Sequence, residues 1–441
     1  MKLHLPHPLI LLLACVLVAA AVTHVLPAGQ YDRKEDSATG RTIVVPGTYH
    51  RVAAAPVGPF AAVVAVPRGM VAAGEVIMLI LLVGGAWAVV DKVGTLAMVV
   101  DWLVAHFGRR PHVIIALLSI AFAAGGALEN MQEEIIPLIP VLLLMGRALG
   151  YDAVTVAALS VGSAMVGSAF SPINPFQAGI ALKLAQLPPL SGAGLRMAML
   201  AVALAFWIGW TVRHAAKTRT APQGGTIAGN APFEWRHGVV VALVVAPFAA
   251  YVIGALKYGW GFNELSAGFL IAGIAIGLVG RLGLQGTVDS YLDGVRSVVA
   301  AAMLVGVARS ISLVLDDGHV IDTILQALAT PLAAQPRSLA AVLMVPVQAV
   351  LHVPVSSVSG QAVLTMPVMI PMSDLLGVSR QAAVLAYQTG AGLTEMWTPT
   401  NGSMMAVLLA AGAPFGKWIR FVVPAVLVLT VLGIVGVLLA G

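Results

Sequence analysis

Charged residues are scarce in this chain. Of its 441 residues only 10% are Asp, Glu, Lys or Arg, whereas 59% are hydrophobic, and the mean hydropathy is +0.95. Soluble domains carry about 25% charged residues, so the composition excludes an ordinary soluble protein and indicates a polytopic membrane protein built against lipid. The net charge of +5 then reflects membrane topology rather than nucleic-acid binding, because basic residues mark the cytoplasmic ends of spans.

Cysteine and catalytic motifs are also nearly absent. The single cysteine, Cys15, excludes an intrachain disulfide. The sequence has no His-Glu-x-x-His pair, no Gly-x-Ser-x-Gly elbow and no Walker-type phosphate loop. We therefore expect no enzymatic activity, no cofactor and no metal site. An intramembrane hydrolase that pairs Ser357 with His352, and a channel, are the alternatives from other classes.

The chain is instead rich in long apolar segments. They cover residues 8–27, 70–90, 111–149, 152–187, 193–213, 237–257, 264–283, 294–316, 338–377, 379–413 and 417–440. A helical span needs about 20 residues, and segments 111–149 and 338–377 each hold two apolar runs joined by a polar stretch. Each therefore predicts a re-entrant helical hairpin, with a polar tip that protein or water must surround. We expect an all-α protein with about nine full spans and two such hairpins.

The polar segments set the predicted topology. We interpret 28–68 as a periplasmic loop with a small β-hairpin, 93–108 as an interfacial helix, and 214–236 as a cytoplasmic linker. Basic residues in the linker and Lys2 place the N-terminus in the cytoplasm. The first apolar run resembles a signal peptide, but no small-residue cleavage site stands out and the run is long enough to span. We therefore expect a retained first span.

One motif occurs twice. Residues 171–175 read Ser-Pro-Ile-Asn-Pro and residues 398–402 read Thr-Pro-Thr-Asn-Gly, and both interrupt an apolar segment. Their prolines and asparagines are related by one offset of 227 residues, which also pairs Gly150 with Gly377. Proline removes a backbone donor and breaks a helix, and broken helices at matching positions of two halves point to a transporter's binding site. The sequence therefore predicts an inverted repeat with two broken helices.

The domain boundaries follow from this repeat. The first repeat comprises 1–213, with hairpin 111–149, broken helix 152–187 and span 193–213. The linker 214–236 and an extra span, 237–257, allow the second repeat to insert inverted. The second repeat comprises 264–441, with hairpin 338–377, broken helix 379–413 and span 417–440.

Several of these segments carry a family resemblance. The stretches 26–32, 133–137, 149–152, 171–176 and 392–400 resemble the YfcC family, within the C4-dicarboxylate carrier-like group that also holds arginine/ornithine antiporter-like proteins. The resemblance covers nearly the whole chain. It implies a secondary transporter of the bacterial inner membrane, in the ion transporter superfamily. It also implies an elevator mechanism and a homodimer.

The expected site lies at the hairpin tips and the helix breaks. The expected substrate-binding residues are Asn130, Glu133, Glu134, Ser171, Asn174, Ser357, Ser359, Gln361, Glu395, Thr398 and Asn401. The expected ion ligands are Ser171, Pro172, Asn174, Thr398, Thr400 and Asn401, because carbonyls freed at a break can coordinate Na⁺. The structural alternatives are a simple kink at each break and an acidic tip that rests in cytoplasmic water.

The charges near these positions bear on the substrate. The predicted core offers several carboxylates and almost no Lys or Arg, and intramembrane charges are functional by default. An acidic site suits a small solute with a cationic group, so antiport of a basic amino acid is favoured, with coupling to Na⁺, to H⁺ or to exchange. A C4-dicarboxylate carrier is the alternative. We expect Arg309 to be a residue of the surrounding helices and His352 to be a packing residue.

Overall fold

The structure of the protein, a computed structural model, describes residues 7–36, 41–96, 98–99, 102, 110–221, 235–258 and 260–441. Most of these residues are helical. Much of the predicted interfacial helix 93–108 and most of the predicted linker 214–236 lie outside the described residues.

The described helices of the N-terminal half surround one hairpin and one broken helix. They are α1 (Pro8–Val25), α2 (Pro59–Ala72), α3 (Gly74–Lys92), α4 (Pro111–Glu129), a 3₁₀ turn (Glu133–Leu138), α5 (Ile139–Leu149), α6 (Ala153–Ala169), a π-helical turn (Pro175–Gly179), α7 (Ile180–Leu184) and α8 (Ala193–Thr218). Here α4 and α5 form the first hairpin, and α6 and α7 form the first broken helix.

The C-terminal half also contains one hairpin and one broken helix. Its described helices are α9 (Trp235–Tyr258), α10 (Phe262–Val279), α11 (Gly283–Asp317), α12 (Ile321–Ala329) with a 3₁₀ turn (Thr330–Ala334), α13 (Arg337–His352), α14 (Val358–Leu375), α15 (Arg380–Thr394), α16 (Gly402–Ala411) and α17 (Phe415–Ala440). Here α13 and α14 form the second hairpin, and α15 and α16 form the second broken helix.

Seven of the described helices are long and apolar enough to cross a membrane. They are Pro8–Val25, Gly74–Lys92, His112–Glu129, Ala193–Thr218, Phe262–Val279, Gly283–Asp317 and Phe415–Ala440. This number differs from the nine expected because each broken helix consists of two short pieces, and because the expected extra span within α9 is not among the seven. One of the seven is the first arm of the first hairpin. The chain is therefore a multi-pass membrane protein.

The N-terminal polar segment is only partly a loop. Strands Gly29–Gln30 and His50–Arg51 pair antiparallel, as do Arg33–Asp36 and Arg41–Val44, so a small β-hairpin forms. The expectation that the loop continues to residue 68 is wrong, because α2 begins at Pro59. A proline is favourable in the first turn of a helix, where its missing N–H has no helical partner.

Three predicted span boundaries also change. The expected span 70–90 is divided at Ala73, where α2 ends and α3 follows. The span 264–283 ends earlier, because Arg281 has a left-handed backbone with φ of 59° and closes α10. The span 294–316 is the C-terminal part of the 35-residue helix α11, and the first residues of the expected linker belong to α8.

Equivalent turns join the hairpin to the broken helix in each half. Gly150 and Gly377 both have a left-handed backbone, with φ of 78° and 67°, which glycine adopts without a steric penalty. Two residues later, Asp152 and Ser379 cap α6 and α15 by accepting hydrogen bonds from backbone N–H groups. The offset seen in the sequence therefore has a local structural counterpart.

Two groups of helices can be distinguished by their contacts. In the α11 group, α11 contacts α1, α2, α3 and α10, and it also packs against α16 of the second broken helix. Gly294 lies so close to α3 that a Cβ there would clash with the Gly84 carbonyl. In the hairpin group, α4 packs on α6 and α13 packs on α15. Gly126 of α4 likewise abuts the backbone of Ala164. Small residues allow such close backbone approach between membrane helices.

Candidate functional site

The second helix break is the centre of the site. Helix α15 ends at Thr394, and α16 begins only at Gly402. Pro399 lies between them and has no N–H to donate. Asn401 closes the break by capping α16, since its side-chain oxygen accepts a 3.0 Å hydrogen bond from the Met404 N–H. Glu395 lies at the end of α15 and is 4% exposed, so the break holds a buried carboxylate.

The tip of the first hairpin reaches across to this break. Gln132 donates through Nε2 to Glu395 Oε2 at 2.8 Å, and the Ser403 hydroxyl donates to Glu133 Oε1 at 2.9 Å. The Asn401 amide points at Gln132 Oε1 at a longer 3.5 Å. These contacts join residues more than 260 positions apart in the chain. The acidic tip of one half and the break of the other therefore form one site.

A cavity of about 300 Å³ lies at this junction. Its apolar wall includes Val76 of α3 and Val305 of α11, so the cavity lies between the α11 group and the hairpin group. The polar residues that line it are Glu129, Asn130, Gln132, Glu133, Arg309, Ser356, Ser357, Ser359, Glu395, Asn401 and Ser403.

The lining carries an excess of negative groups. Among the described residues that line the cavity, three are acidic, Glu129, Glu133 and Glu395, and one is basic, Arg309. Glu133 and Glu395 each accept one of the hydrogen bonds described above through a single oxygen. Their orientation is thus fixed by neutral neighbours.

Two helices also begin at the cavity. Ser357 caps α14 by accepting from the Gly360 N–H at 3.2 Å, and Asn401 caps α16. The N–H groups in the first turn of a helix have no partner within it, and the helix dipole adds a partial positive charge. Gly402 and Ser403, which open α16, line the cavity, so a ligand carboxylate there meets backbone donors.

At the first helix break, by contrast, the polar groups are hydrogen-bonded within the protein, and we call this break closed. The Ser171 hydroxyl donates to the Ala127 carbonyl at 2.7 Å and accepts from the N–H groups of Ile173 and Asn174. Gln388 donates to the Ser171 carbonyl at 2.9 Å. The groups that Pro172 exposes therefore find partners within the protein.

Asn174 completes this closure. Its Nδ2 donates to the Gly126 carbonyl at 2.8 Å, and its Oδ1 accepts from the N–H groups of Phe176 and Gln177, both at 2.9 Å. Asn174 and Ser171 are both 0% exposed. Neither residue lines the cavity, which the first break reaches through Phe176, whereas Asn401, Gly402 and Ser403 of the second break line it directly.

The structure separates the predicted site residues into two sets. Those that it brings together at the cavity are Asn130, Glu133, Ser357, Ser359, Glu395 and Asn401. Those that do not line the cavity are Glu134, Ser171, Pro172, Asn174, Gln361, Thr398 and Thr400.

The second set is held by internal contacts. Glu134 accepts from the Gln132 backbone N–H at 3.1 Å, and the hydroxyls of Thr398 and Thr400 lie 2.8 Å apart. Gln361 is buried against His352 and Gln348.

Five polar lining residues were not among the predicted site residues: Glu129, Gln132, Arg309, Ser356 and Ser403. Glu129, Gln132 and Ser356 are each adjacent in sequence to a predicted residue, and Ser403 lies two positions after Asn401, so the tips and the break were the right segments. Arg309 carried a clearer signal, because a charge within the long apolar helix α11 is costly unless it has a function. Among the described residues, no group of three or more His, Cys, Asp or Glu side chains is placed to hold a metal ion.

Comparison with known proteins identifies the family. Residues 5–441 match the family model DcuC, described as C4-dicarboxylate anaerobic carrier. An Escherichia coli relative named "Putative basic amino acid antiporter YfcC" is 29% identical, and the match covers 94% of this chain and 92% of that protein. An uncharacterized protein of Haemophilus influenzae is 28% identical, with 89% of this chain and 80% of that protein covered.

Two solved structures are also similar. One is the YdaH transporter of Alcanivorax borkumensis, with a TM-score of 0.46, 18% identity and 98% of each chain covered. The other is MtrF of Neisseria gonorrhoeae, with a TM-score of 0.43, 17% identity, and 99% of this chain and 95% of that chain covered. Because the family model matches almost the entire chain, the protein belongs to the DcuC family and is a membrane transporter of that family.

Proposed function

We propose that this protein is a secondary active transporter that exchanges basic amino acids across the bacterial inner membrane. The observation that carries the proposal is the charge of the cavity, where three carboxylates face one guanidinium. A cationic side chain balances this excess, whereas a dianion adds to it. The name of the Escherichia coli relative, a basic amino acid antiporter, agrees with this preference.

The geometry offers both ends of an amino acid a partner. Glu133 and Glu395 bind the cationic side chain, because hydrogen bonds between charged groups are the strong ones. The N-terminus of α16 and Arg309 bind the α-carboxylate. A cavity of about 300 Å³ suits a small solute, since ligand sites begin at roughly this size.

The position of the cavity supports a mechanism for transport. One wall belongs to the α11 group and the other to the hairpin group, so relative movement of the two groups would carry the site across the membrane. We propose that the hairpin group moves in elevator fashion against the α11 group, that the halves are inverted repeats, and that the α11 group forms a homodimer. Thr398, Thr400 and Asn401 at the second break are the proposed ligands if the coupling ion is Na⁺.

A C4-dicarboxylate is the second candidate substrate. The family description names it, and Arg309 with the N-termini of α14 and α16 supplies three positive or partly positive groups at the cavity. For this substrate to bind, the carboxyl groups of Glu133 and Glu395 must be protonated or paired with Na⁺.

Counterflow in proteoliposomes distinguishes these substrates. Vesicles are preloaded with unlabelled substrate, and uptake of labelled arginine is compared with that of labelled succinate, with and without a Na⁺ gradient. Arginine accumulation with little succinate uptake supports the proposal. Succinate accumulation without arginine uptake contradicts it and identifies a dicarboxylate carrier.

A further inference from the structure

His352 lies behind Glu395, away from the cavity. It belongs to the second hairpin, at the end of α13, and is 0% exposed. Its Nε2 atom is 3.9 Å from Glu395 Oε1 and has no hydrogen-bond partner among the described residues. A buried polar atom without a partner is costly, so this nitrogen requires an explanation.

The surrounding amides fix the tautomer of His352. Gln361 Nε2 lies 2.8 Å from the Gln348 carbonyl and 2.7 Å from Gln348 Oε1. The backbone carbonyl can only accept, so this atom of Gln361 is the donor and its Oε1 is the acceptor. That Oε1 lies 2.8 Å from His352 Nδ1. Nδ1 therefore carries the hydrogen, and Nε2 of the neutral ring presents a lone pair to Glu395.

A lone pair that faces a carboxylate oxygen is repelled, and one proton between the two removes the repulsion. We propose that Glu395 and His352 together bind one transported proton, and that the cationic group of the substrate displaces it. This inference rests on the proposed function, because it assigns the coupling ion to the same site. As one cationic group arrives at Glu395, one H⁺ leaves the pair for water in the cavity, and the charge of the site is conserved.

The groups around the pair favour this single proton. The first hairpin brings the negative Glu133 and the neutral Gln132 to Glu395, and a nearby negative charge favours the neutral form of a carboxyl group. In the second hairpin, His352 contacts the neutral amide of Gln361, which in turn is hydrogen-bonded to Gln348. Helix α11 contributes Arg309 to the same cavity. Among the described residues, no Lys or Arg forms a salt bridge with Glu395, so a cationic substrate is the group that takes the place of the proton.

The proton site can be tested without substrate. Infrared spectra of the purified protein are recorded as pH is varied, and the C=O band of a protonated carboxyl group is followed. The difference between the wild type and Glu395→Gln assigns the band to Glu395, with the exposed Glu35→Gln as the matched control. In His352→Phe the same band should titrate about one pH unit lower, the equivalent of one lost hydrogen bond to a charged group.

The proposed proton site is wrong if no titrating C=O band disappears in Glu395→Gln. It is also wrong if the band of His352→Phe titrates at the same pH as that of the wild type. If His352→Phe does not fold, Gln361→Leu replaces it. This change releases Nδ1, so that Nε2 can carry a hydrogen and donate to the carboxylate, and the titration should again shift to lower pH.

Added arginine then tests displacement. At a pH where the band is present, arginine should remove it from the wild type. If arginine exchanges in vesicles but leaves the band unchanged, the proton is not displaced and the inference is wrong. If arginine neither exchanges nor binds, the proposed function is wrong, while the substrate-free titration still decides whether the pair binds a proton.

Discussion

Asn174 and Asn401 hold equivalent positions at the two helix breaks, and each caps the half-helix that follows it. Beyond the cap, their environments differ. Asn174 donates into the first hairpin and is sealed from the cavity, whereas Asn401 lines the cavity beside Glu395 and Ser403. The first break is closed by hydrogen bonds, and the second is open to a ligand.

The difference originates in the first hairpin. Its arm supplies the Gly126 and Ala127 carbonyls that satisfy the first break, and its tip extends to the second. The second hairpin contributes hydroxyl groups to the cavity instead, from Ser356, Ser357 and Ser359. Two helix breaks with similar backbones thus differ in their surroundings. The first is stabilised by hydrogen bonds, and the second lines the candidate binding site.

The largest expected effect on stability is at the closed break. Asn174→Ala removes a buried donor and a buried double acceptor, and leaves the Gly126 carbonyl and two N–H groups without these partners. We expect a loss of about 3 kcal/mol in the free energy of unfolding. Thermal unfolding in detergent measures it. A midpoint equal to that of the wild type would show that the first break is not sealed by Asn174.

Glu133 and Glu134, adjacent acidic residues at the tip of the first hairpin, provide the next test. Glu133 lines the cavity and Glu134 does not. Glu133→Gln should reduce arginine counterflow about tenfold, because it removes one charge from the binding site. Glu134→Gln is the matched control and should have a smaller effect, since a glutamine oxygen can still accept from the Gln132 N–H. Equal effects would contradict the separation of the two residues.

Asn401→Ala is the counterpart of Asn174→Ala at the second break. It removes the cap of α16, and caps contribute about 1 kcal/mol, so the thermal midpoint should fall less than in Asn174→Ala. Arginine counterflow should fall several-fold in the protein that remains folded. If Asn401→Ala is the more destabilising variant and its folded fraction transports normally, the assignment of the two breaks is reversed.

The smallest expected effect is at the turns before the broken helices, where Asp152 and Ser379 are the equivalent caps. Burial opposes ionisation of Asp152, but hydrogen bonds from His214 and Thr155 outweigh burial and hold its pKa below the usual value. Ionised Asp152 therefore adds stability that is present above pH about 4 and is lost as the pH falls below it.

Asp152→Asn keeps a capping side chain and should cost less than about 1 kcal/mol at neutral pH. Unfolding is measured against pH, and the difference from the wild type should disappear in acid. Ser379→Ala, in which no titrating group is lost, serves as the control whose effect is independent of pH. A difference for Asp152→Asn that persists unchanged in acid would exclude an ionic contribution.

The order of hairpins and broken helices could be predicted from the sequence because prolines, glycines and polar tips act locally. The open and closed states of the two breaks could not, since Ser171, Asn174, Thr398 and Asn401 look alike in the sequence. The difference between the two breaks depends on packing of the tip of the first hairpin against the second break, and this contact joins residues that are far apart in the sequence. Helix α2 was missed because its start lies in a stretch rich in glycine, proline and valine.

The proposed function requires that the acidic cavity at the second break binds the cationic group of an amino acid. The decisive measurement is arginine counterflow by Glu133→Gln/Glu395→Gln, compared with the wild type and with Glu35→Gln. We expect counterflow to fall about 100-fold in the double variant, since two charged hydrogen bonds are lost, and to be unchanged in Glu35→Gln. If the double variant exchanges arginine at the wild-type rate, the cavity is not the site that binds the cationic group.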